Sequence, residues 1–176
     1  MPLPVAHGLL GASIVAALYP DSRRTRYALH LLGGFLAANV ADFDLVLVFA
    51  FHSEAWHRDF SHSVGFALLV SLPCVLLFGR QRVREAIAFC LAFASHGILD
   101  FATTKAGIGV ELLWPISQER LSLGFWGLSE VPSKLGRSEL IEALVVEFAI
   151  FTPLLLALLL FRNVTGTRIT RSEDAT

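Results

Sequence analysis

The sequence carries little charge. Only 16% of its 176 residues are charged, whereas 55% are hydrophobic. A soluble domain of average composition carries about a quarter charged residues, so this composition is atypical of a soluble protein. The net charge of -1 also lacks the basic excess with which nucleic-acid-binding proteins contact phosphates, and we expect no nucleic-acid partner.

Cysteine is scarce as well. Cys74 and Cys90 both lie in apolar stretches without a Cys-x-x-Cys spacing, and we interpret them as packing residues. The N-terminal Met1-Pro2-Leu3-Pro4 lacks the basic residues that begin a signal peptide, and His7 interrupts the apolar run that follows. Internal repeats and low-complexity segments are not evident, and the length predicts one domain.

What the sequence does contain is a series of long apolar segments. Five of them cover roughly residues 5–19, 27–51, 62–78, 85–101 and 140–161. The last three are about 17 to 22 residues long, enough to cross a hydrocarbon core of about 30 Å. The pattern predicts an all-α, polytopic membrane helical bundle with about five transmembrane helices, formed by a single domain over residues 1–162.

Positive charge predicts the orientation of this bundle. Nine of the fourteen basic residues follow the first, third and fifth segments: Arg23, Arg24, Arg26, Arg80, Arg82, Arg84, Arg162, Arg168 and Arg171. This alternation places the N-terminus outside and the C-terminus inside, with residues 163–176 as a polar cytoplasmic tail and 102–139 as an outer loop. We therefore expect a multi-pass protein of a bacterial inner membrane.

The most informative residues are ionisable side chains within this apolar sequence. His96 and Asp100 are four residues apart, a spacing that puts both on one face of a helix. Ionisable groups are costly in a membrane segment and usually mark a functional site. With the predicted orientation, four segments bring ligand-type side chains to the periplasmic or extracellular face of the membrane that the chain spans. His30 lies near the inner end. The candidates are His7, Asp42, Asp44, His57, His62, His96 and Asp100.

Histidine and carboxylate ligands without thiolates predict a site for a divalent metal and suit zinc, manganese or iron, so that ligand type alone leaves the choice open. We expect zinc, with manganese or iron as alternatives. Seven candidates could hold one to three ions. Asp42 and Asp44 would point about 200° apart on a continuous helix, so that both cannot face one site. Either the helix breaks near these residues, or one of them orients a ligand histidine. We expect Ser61 to be the N-cap of the following helix.

Three further residues are candidates for catalytic roles. Arg58, between two candidate ligands, could bind an anion, although an interfacial arginine without a catalytic role is an equal alternative. Arg120 lies in the outer loop 102–139, which we expect to cover the site, and could bind phosphate. Glu147 lies about 7 to 8 Å inside the last segment and needs a partner there, as a general base or as a group that supports a ligand.

These motifs resemble those of the YdjM-like bacterial family, described as membrane-bound metal-dependent hydrolases. The similar elements run in order from residue 7 to about 120: His7, Asp42-Phe43-Asp44, His57-Arg58-x-x-Ser61-His62-Ser63, Ser95-His96-x-x-Leu99-Asp100 and Trp114-Pro115-Ile116-Ser117. Ser61 stands where the family usually has threonine, and Ala41 where it commonly has proline. The family is distantly similar to the zinc-dependent phospholipase C and single-strand nuclease superfamily, which implies phosphoester hydrolysis at a lipid surface.

The leading hypothesis is therefore a membrane-embedded, metal-dependent hydrolase that cleaves a phosphoester bond in a lipid or lipid-linked substrate. A transporter or metal permease is one alternative, although transport sites usually lie near the bilayer midplane and in proteins with internal repeats. A non-catalytic membrane protein with a structural metal is another, and a closed tetrahedral site would favour it.

Overall fold

The computed structural model describes residues 2–19, 24–53, 57–78, 82–104, 109–124 and 137–173, with side chains in the last helix up to residue 161. Within these ranges the chain is helical, and its only β pairing is an isolated antiparallel bridge between Val110 and Leu121. The α-helices are α1 (Pro4–Leu18), α2 (Arg24–Asn39), α3 (Asp44–Phe51), α4 (Val64–Phe78), α5 (Val83–Thr103) and α6 (Arg137–Glu173).

The helices confirm an all-helical protein with membrane-spanning potential. Three stretches are long and apolar enough to cross a bilayer: Arg26–Phe51, Val83–Thr103 and Leu140–Phe161. The other two predicted segments form α1 and α4, which are apolar but have only 15 residues each. At 1.5 Å per residue they are about 22 Å long, which is shorter than a hydrocarbon core. The predicted orientation remains a prediction.

Many large apolar side chains are exposed on the outside of the helices. Phe49, Leu76 and Phe161 are each more than two-thirds exposed. So much exposed apolar surface would be unusual for a soluble monomer and fits a chain surrounded by lipid.

Helix α5 is the centre of the packing. It contacts α1, α2 and α4, while α6 packs on α1. Small buried side chains on α5, among them Ala88, Ala92 and Ala94, let the neighbouring helices approach closely. The N-terminal part of α1 and the C-terminal parts of α2 and α5, which carry or adjoin His7, Asp42 and His96, are thereby held side by side.

The second apolar segment is not one continuous α-helix. Helix α2 ends at Asn39, a 3₁₀ turn covers Val40–Phe43, and α3 begins at Asp44. The tighter 3₁₀ geometry changes the relative directions of Asp42 and Asp44. The break predicted as one of two alternatives is therefore present, although Ala41 stands where proline would have favoured it.

Candidate metal centre

The structure brings all seven predicted ligand residues into one connected cluster. His7 comes from α1, Asp42 from the turn between α2 and α3, Asp44 from the first position of α3, and His96 and Asp100 from α5. His57 and His62 come from the segment before α4, where Phe60–His62 forms a second 3₁₀ turn. His7, His62, His96 and Asp100 are almost completely buried, and side-chain exposure remains at Asp42 (15%) and His57 (22%). The cluster is thus open on the side of these two residues.

Ligand atoms of four residues lie close together, and we call His62, His96, Asp42 and Asp100 the four-residue group. The Nε2 atoms of His62 and His96 are 3.1 Å apart, and Oδ1 of Asp42 is 3.7 and 3.4 Å from them. Oδ2 of Asp100 lies 3.6 Å from His62 Nε2 and 3.9 Å from His96 Nε2. Ligand atoms at about 2.0–2.1 Å from a tetrahedral zinc are about 3.3 Å apart. The two histidines therefore have a separation suited to ligands of one ion, and one oxygen of each aspartate lies beside both of them.

The second nitrogen of each histidine is engaged elsewhere. Nδ1 of His96 donates to the carbonyl oxygen of Ala38 at 2.6 Å. Nδ1 of His62 lies 3.0 Å from Oγ of Ser61 and 3.3 Å from Oδ2 of Asp44. When Nδ1 carries the proton, the lone pair of a neutral imidazole is on Nε2. In this tautomer the Nε2 lone pairs of both histidines are directed toward one another.

Asp44 accepts hydrogen bonds from groups beside the four-residue group. Its Oδ2 accepts from Ser61 Oγ at 2.8 Å and from the backbone N–H of Arg58 at 3.0 Å, and its Oδ1 lies 3.1 Å from Nδ1 of His57. Because both of its oxygens face donors, Asp44 orients the ligand histidines. This geometry matches the second alternative that the sequence left open, in which one aspartate supports a histidine.

Asp100 connects His62 and His96 to His7. Its Oδ2 faces His62 and His96, whereas its Oδ1 lies 3.5 Å from Nε2 of His7. The ring of His7 stacks on that of His96 with a centroid separation of 3.7 Å. The ligand-type residues form two adjacent groups, one of His7, His96 and Asp100 and the other of Asp42, His57 and His62.

Several buried polar atoms of this cluster have no hydrogen-bond partner among the described residues. They are both ring nitrogens of His7, Oδ1 of Asp42 and both carboxylate oxygens of Asp100. An unsatisfied polar atom is costly in an apolar interior, and three carboxylates meet here. A divalent cation would satisfy these atoms and balance their charge, so the donor set fits the predicted metal.

Arg58, next to His57, also reaches the cluster. Its Nε lies 4.0 Å from Oδ2 of Asp100, and its backbone has a positive φ of 63°, an uncommon conformation for a residue other than glycine. The carbonyl oxygen of Arg58 accepts the N–H of Glu111, which fixes it to the loop 109–124. Burial raises the pKa of Glu111, and the neighbouring Asp59 carboxylate adds to this shift.

The other two predicted catalytic residues lie in different surroundings. Nε of Arg120 is 4.0 Å from Oε1 of Glu111, so the arginine pairs with a residue of its own loop, 109–124. Glu147 is fully buried against the start of α1, where its two oxygens accept the backbone N–H groups of Leu3 and Ala6. The partner that Glu147 requires is thus the N-terminus of the helix that carries His7.

The described part of the predicted outer loop, residues 109–124, contacts the start of α4 and the C-terminal part of α5. The carbonyl oxygen of Leu112 accepts the N–H of Val64, and Leu123 donates to Phe101. Gly65 lies so close to Trp114 that a Cβ at this position would overlap the carbonyl oxygen of Trp114. The rest of the predicted loop, residues 105–108 and 125–136, lies outside the described residues.

The predicted cap at Ser61 is wrong. Its hydroxyl bonds to Asp44, and the hydroxyl of Ser63 accepts the N–H of Phe66 and so caps α4. Sequence reasoning also missed Gly97. A Cβ on this residue would overlap the backbone carbonyl of His62, so only glycine lets α5 approach that closely. Its position next to His96 was the only available signal.

The comparisons with known proteins point to the inner membrane. The sequence matches the YdjM inner membrane protein family over residues 1–168. The inner membrane protein YbcI of Escherichia coli (strain K12) is 37% identical over 116 residues, which are 61% of this chain and 65% of that protein. The aligned region is thus slightly less than two thirds of the relative's length. No solved structure matches the chain.

Proposed function

The chain belongs to the YdjM inner membrane protein family, and we propose that it is a membrane-embedded, metal-dependent hydrolase. Its substrate is a phosphoester in a lipid or lipid-linked molecule. The resemblance to the family, which the order of the motifs predicted, is confirmed by the match. The reaction and the link to the phospholipase C superfamily are our proposal.

The observation that carries this proposal is the four-residue group of His62, His96, Asp42 and Asp100. The two imidazoles are held with their Nε2 atoms 3.1 Å apart and toward one another, and one oxygen of each aspartate lies 3.4 to 3.9 Å from these nitrogens. Two such nitrogens repel unless a proton or a cation lies between them. Asp44 and the Ala38 carbonyl, which hold the rings in place, are the kind of support that metal-ligand histidines have.

The chain's own residues would then divide the work. A divalent metal held here would lower the pKa of a water molecule and polarise a phosphoryl oxygen. Arg58, whose Nε already lies near Asp100, would stabilise negative charge that develops on the phosphate. Asp44 would keep His57 and His62 in their ligand orientation.

Asp100 is suited to serve two ions. One of its oxygens faces His62 and His96, and the other faces His7. Carboxylates shared in this way are typical of two-metal hydrolases. We therefore propose two ions within the predicted range of one to three, with zinc as the leading candidate from the donor set.

The position of the opening favours a lipid substrate. Asp42 and His57 are the exposed members of the cluster, and beside them Phe43 is largely exposed on the apolar surface of the protein. A head group that enters from the bilayer surface could reach these residues while its hydrocarbon remains in lipid. The predicted periplasmic orientation would place this opening in the outer leaflet.

Hydrolysis can be tested directly with purified protein that is loaded with zinc or manganese and reconstituted in vesicles of mixed phospholipids. We expect release of a phosphate-containing product by the wild type and at most about 1% of that rate in His96→Ala, a loss typical of removing a group required in the transition state. His30→Ala, at the opposite end of the helices, is the matched control. Equal rates in all three proteins would contradict the proposal.

The same four residues also support a second candidate, a structural metal. If each of them supplied one ligand atom to one ion, such a closed site would leave no position for water. X-ray absorption of the zinc-loaded protein distinguishes the two functions. Four protein ligands without an oxygen from water would favour the structural metal, whereas an additional water oxygen would favour the hydrolase.

A further inference from the structure

An apolar cleft separates α2 from α4. It lies close to the seven ligand-type residues described above, which we call the His/Asp cluster. It has a volume of about 390 Å³ and is lined mainly by Ala37, Val40, Val70, Phe89 and Phe93. We call it the α2–α4 cleft. Helix α4 packs on α5 and on the turn that precedes it, and the cleft occupies the space toward α2. Pockets that bind small ligands are of this size and apolar character.

We propose that the α2–α4 cleft binds the hydrocarbon chain of the lipid whose head group binds at the His/Asp cluster. This inference rests on the proposed function for the head group and adds a second, separate subsite for the tail.

The first argument is continuity with the cluster. Val40, at the cleft, begins the 3₁₀ turn that carries Asp42, and it is 40% exposed. Phe93 lies in the cleft one helical turn before His96. A lipid with its phosphate at the open side of the cluster would therefore have its first methylene groups beside Val40.

The second argument is the separation of the two subsites. Ala41, Ala67, Phe93 and Ala94 form a buried apolar cluster, which includes Phe93 of the cleft and Ala41 next to Asp42. Because this cluster is closely packed, a tail in the cleft would be kept apart from the ligand atoms. The reacting end and the apolar end of the same molecule would thus occupy different compartments.

The third argument is the membrane itself. The cleft is bordered by α2 and α5, which lie within two of the candidate spans. At this depth an apolar cavity is not filled by water, and hydrocarbon is the surrounding solvent. The end of the cleft that lies away from the cluster is polar, because Arg82 and Glu85 line it there. Glu85 is about 12 Å from Phe93 along α5. Tyr19 donates to Glu85 there at 2.7 Å, which ties α1 to α5 and limits the depth of the apolar part.

The test uses a phosphatidylcholine with a photoactivatable diazirine near the end of one acyl chain, in vesicles that contain the purified wild-type protein. After irradiation, labelled residues are located by mass spectrometry. We expect labelling concentrated at Val70, Phe89 and Phe93, above that of the exposed face of α6 around Leu156. Labelling spread evenly over the lipid-facing helices would overturn the proposal.

Filling the cleft provides a second test. Val70→Trp should reduce labelling of Phe89 about tenfold, because displacing two methylene groups from apolar surroundings removes that much affinity. Leu76→Trp, a lipid-facing change on the same helix, should leave it unchanged. Val40→Trp at the other end of the cleft should repeat the effect. Unchanged labelling of Phe89 in both cleft variants would contradict the inference.

Metal content of the same variants separates this inference from the proposed function. Val70→Trp should retain its metal while losing the label. Concentrated labelling in a wild-type protein that hydrolyses no phosphoester would remove the proposed function and leave the tail subsite. Hydrolysis with evenly spread labelling would do the reverse.

Discussion

The Nε2 atoms of His62 and His96 lie 3.1 Å apart, and each ring has its Nδ1 beside an acceptor. Side chains 34 residues apart in the sequence are thus held with their Nε2 atoms toward one another. Two such nitrogens repel unless a proton or a cation lies between them. The predictions below examine what holds these rings in place and what the neighbouring residues contribute.

Asp44→Asn should weaken metal binding without removing a ligand. The amide has one acceptor oxygen in place of two, and its NH₂ group would face donors at Ser61, Arg58 or the histidines. Loss of such a supporting carboxylate lowers metal affinity about 10–100-fold. Competition with a chromophoric chelator measures this affinity. Glu119→Gln, an exposed change of the same kind, should have no effect, and an unchanged affinity in Asp44→Asn would show that Asp44 does not orient the ligands.

Gly97→Ala should disturb the site through the backbone. The added methyl group would overlap the carbonyl of His62, so α5 and the Phe60–His62 turn must move apart. We expect a loss of about 1–3 kcal/mol of stability, as in other overpacked sites, together with reduced metal content. Ile98→Ala, at the exposed neighbouring position, is the control. Normal metal content in Gly97→Ala would mean that the close approach of the two segments is dispensable.

The sequence predicted the main parts of this structure, because apolar segments and their ionisable residues follow from local composition. All five apolar segments are helical, and the seven candidate ligands lie together. The alternating direction expected of successive membrane helices was enough to predict that His7, His62 and His96 lie at one level, whereas the side of the membrane that they face stays a prediction.

Other features depend on contacts between distant residues and could not be predicted. Ser61 has the pattern of a cap, but Asp44 competes for its hydroxyl, and Ser63 takes the capping position. Gly97 matters because of the carbonyl of His62, which is far away in the sequence. The partners of Glu147 are backbone amides of α1, and no side-chain pattern reveals backbone partners.

Glu147→Gln should affect stability more than metal binding. In the wild type both carboxylate oxygens accept backbone N–H groups at the start of α1, and the amide can accept only with one. We expect a loss of about 1–2 kcal/mol in the free energy of unfolding, measured in detergent. Metal content should stay at the wild-type level. Glu142→Gln, on the exposed face of the same helix, is the control, and a loss of metal at unchanged stability would instead place Glu147 in the catalytic machinery.

The orientation of the bundle is testable by cysteine labelling. On a background that lacks Cys74 and Cys90, Ser129→Cys in the outer loop should react with a membrane-impermeant thiol reagent added to intact cells. A cysteine at Ser172, beyond the last apolar segment, should react only after permeabilisation. The opposite pattern would place the cluster at the cytoplasmic face.

The central claim is that the His/Asp cluster holds metal, and metal content tests it most directly. Protein purified in detergent without chelators is analysed by inductively coupled plasma mass spectrometry, as wild type, His62→Ala, His96→Ala and the control His30→Ala. We predict close to two ions per wild-type and control chain, and loss of metal in both cluster variants. No metal in the wild type, or equal metal in all four proteins, would contradict the account.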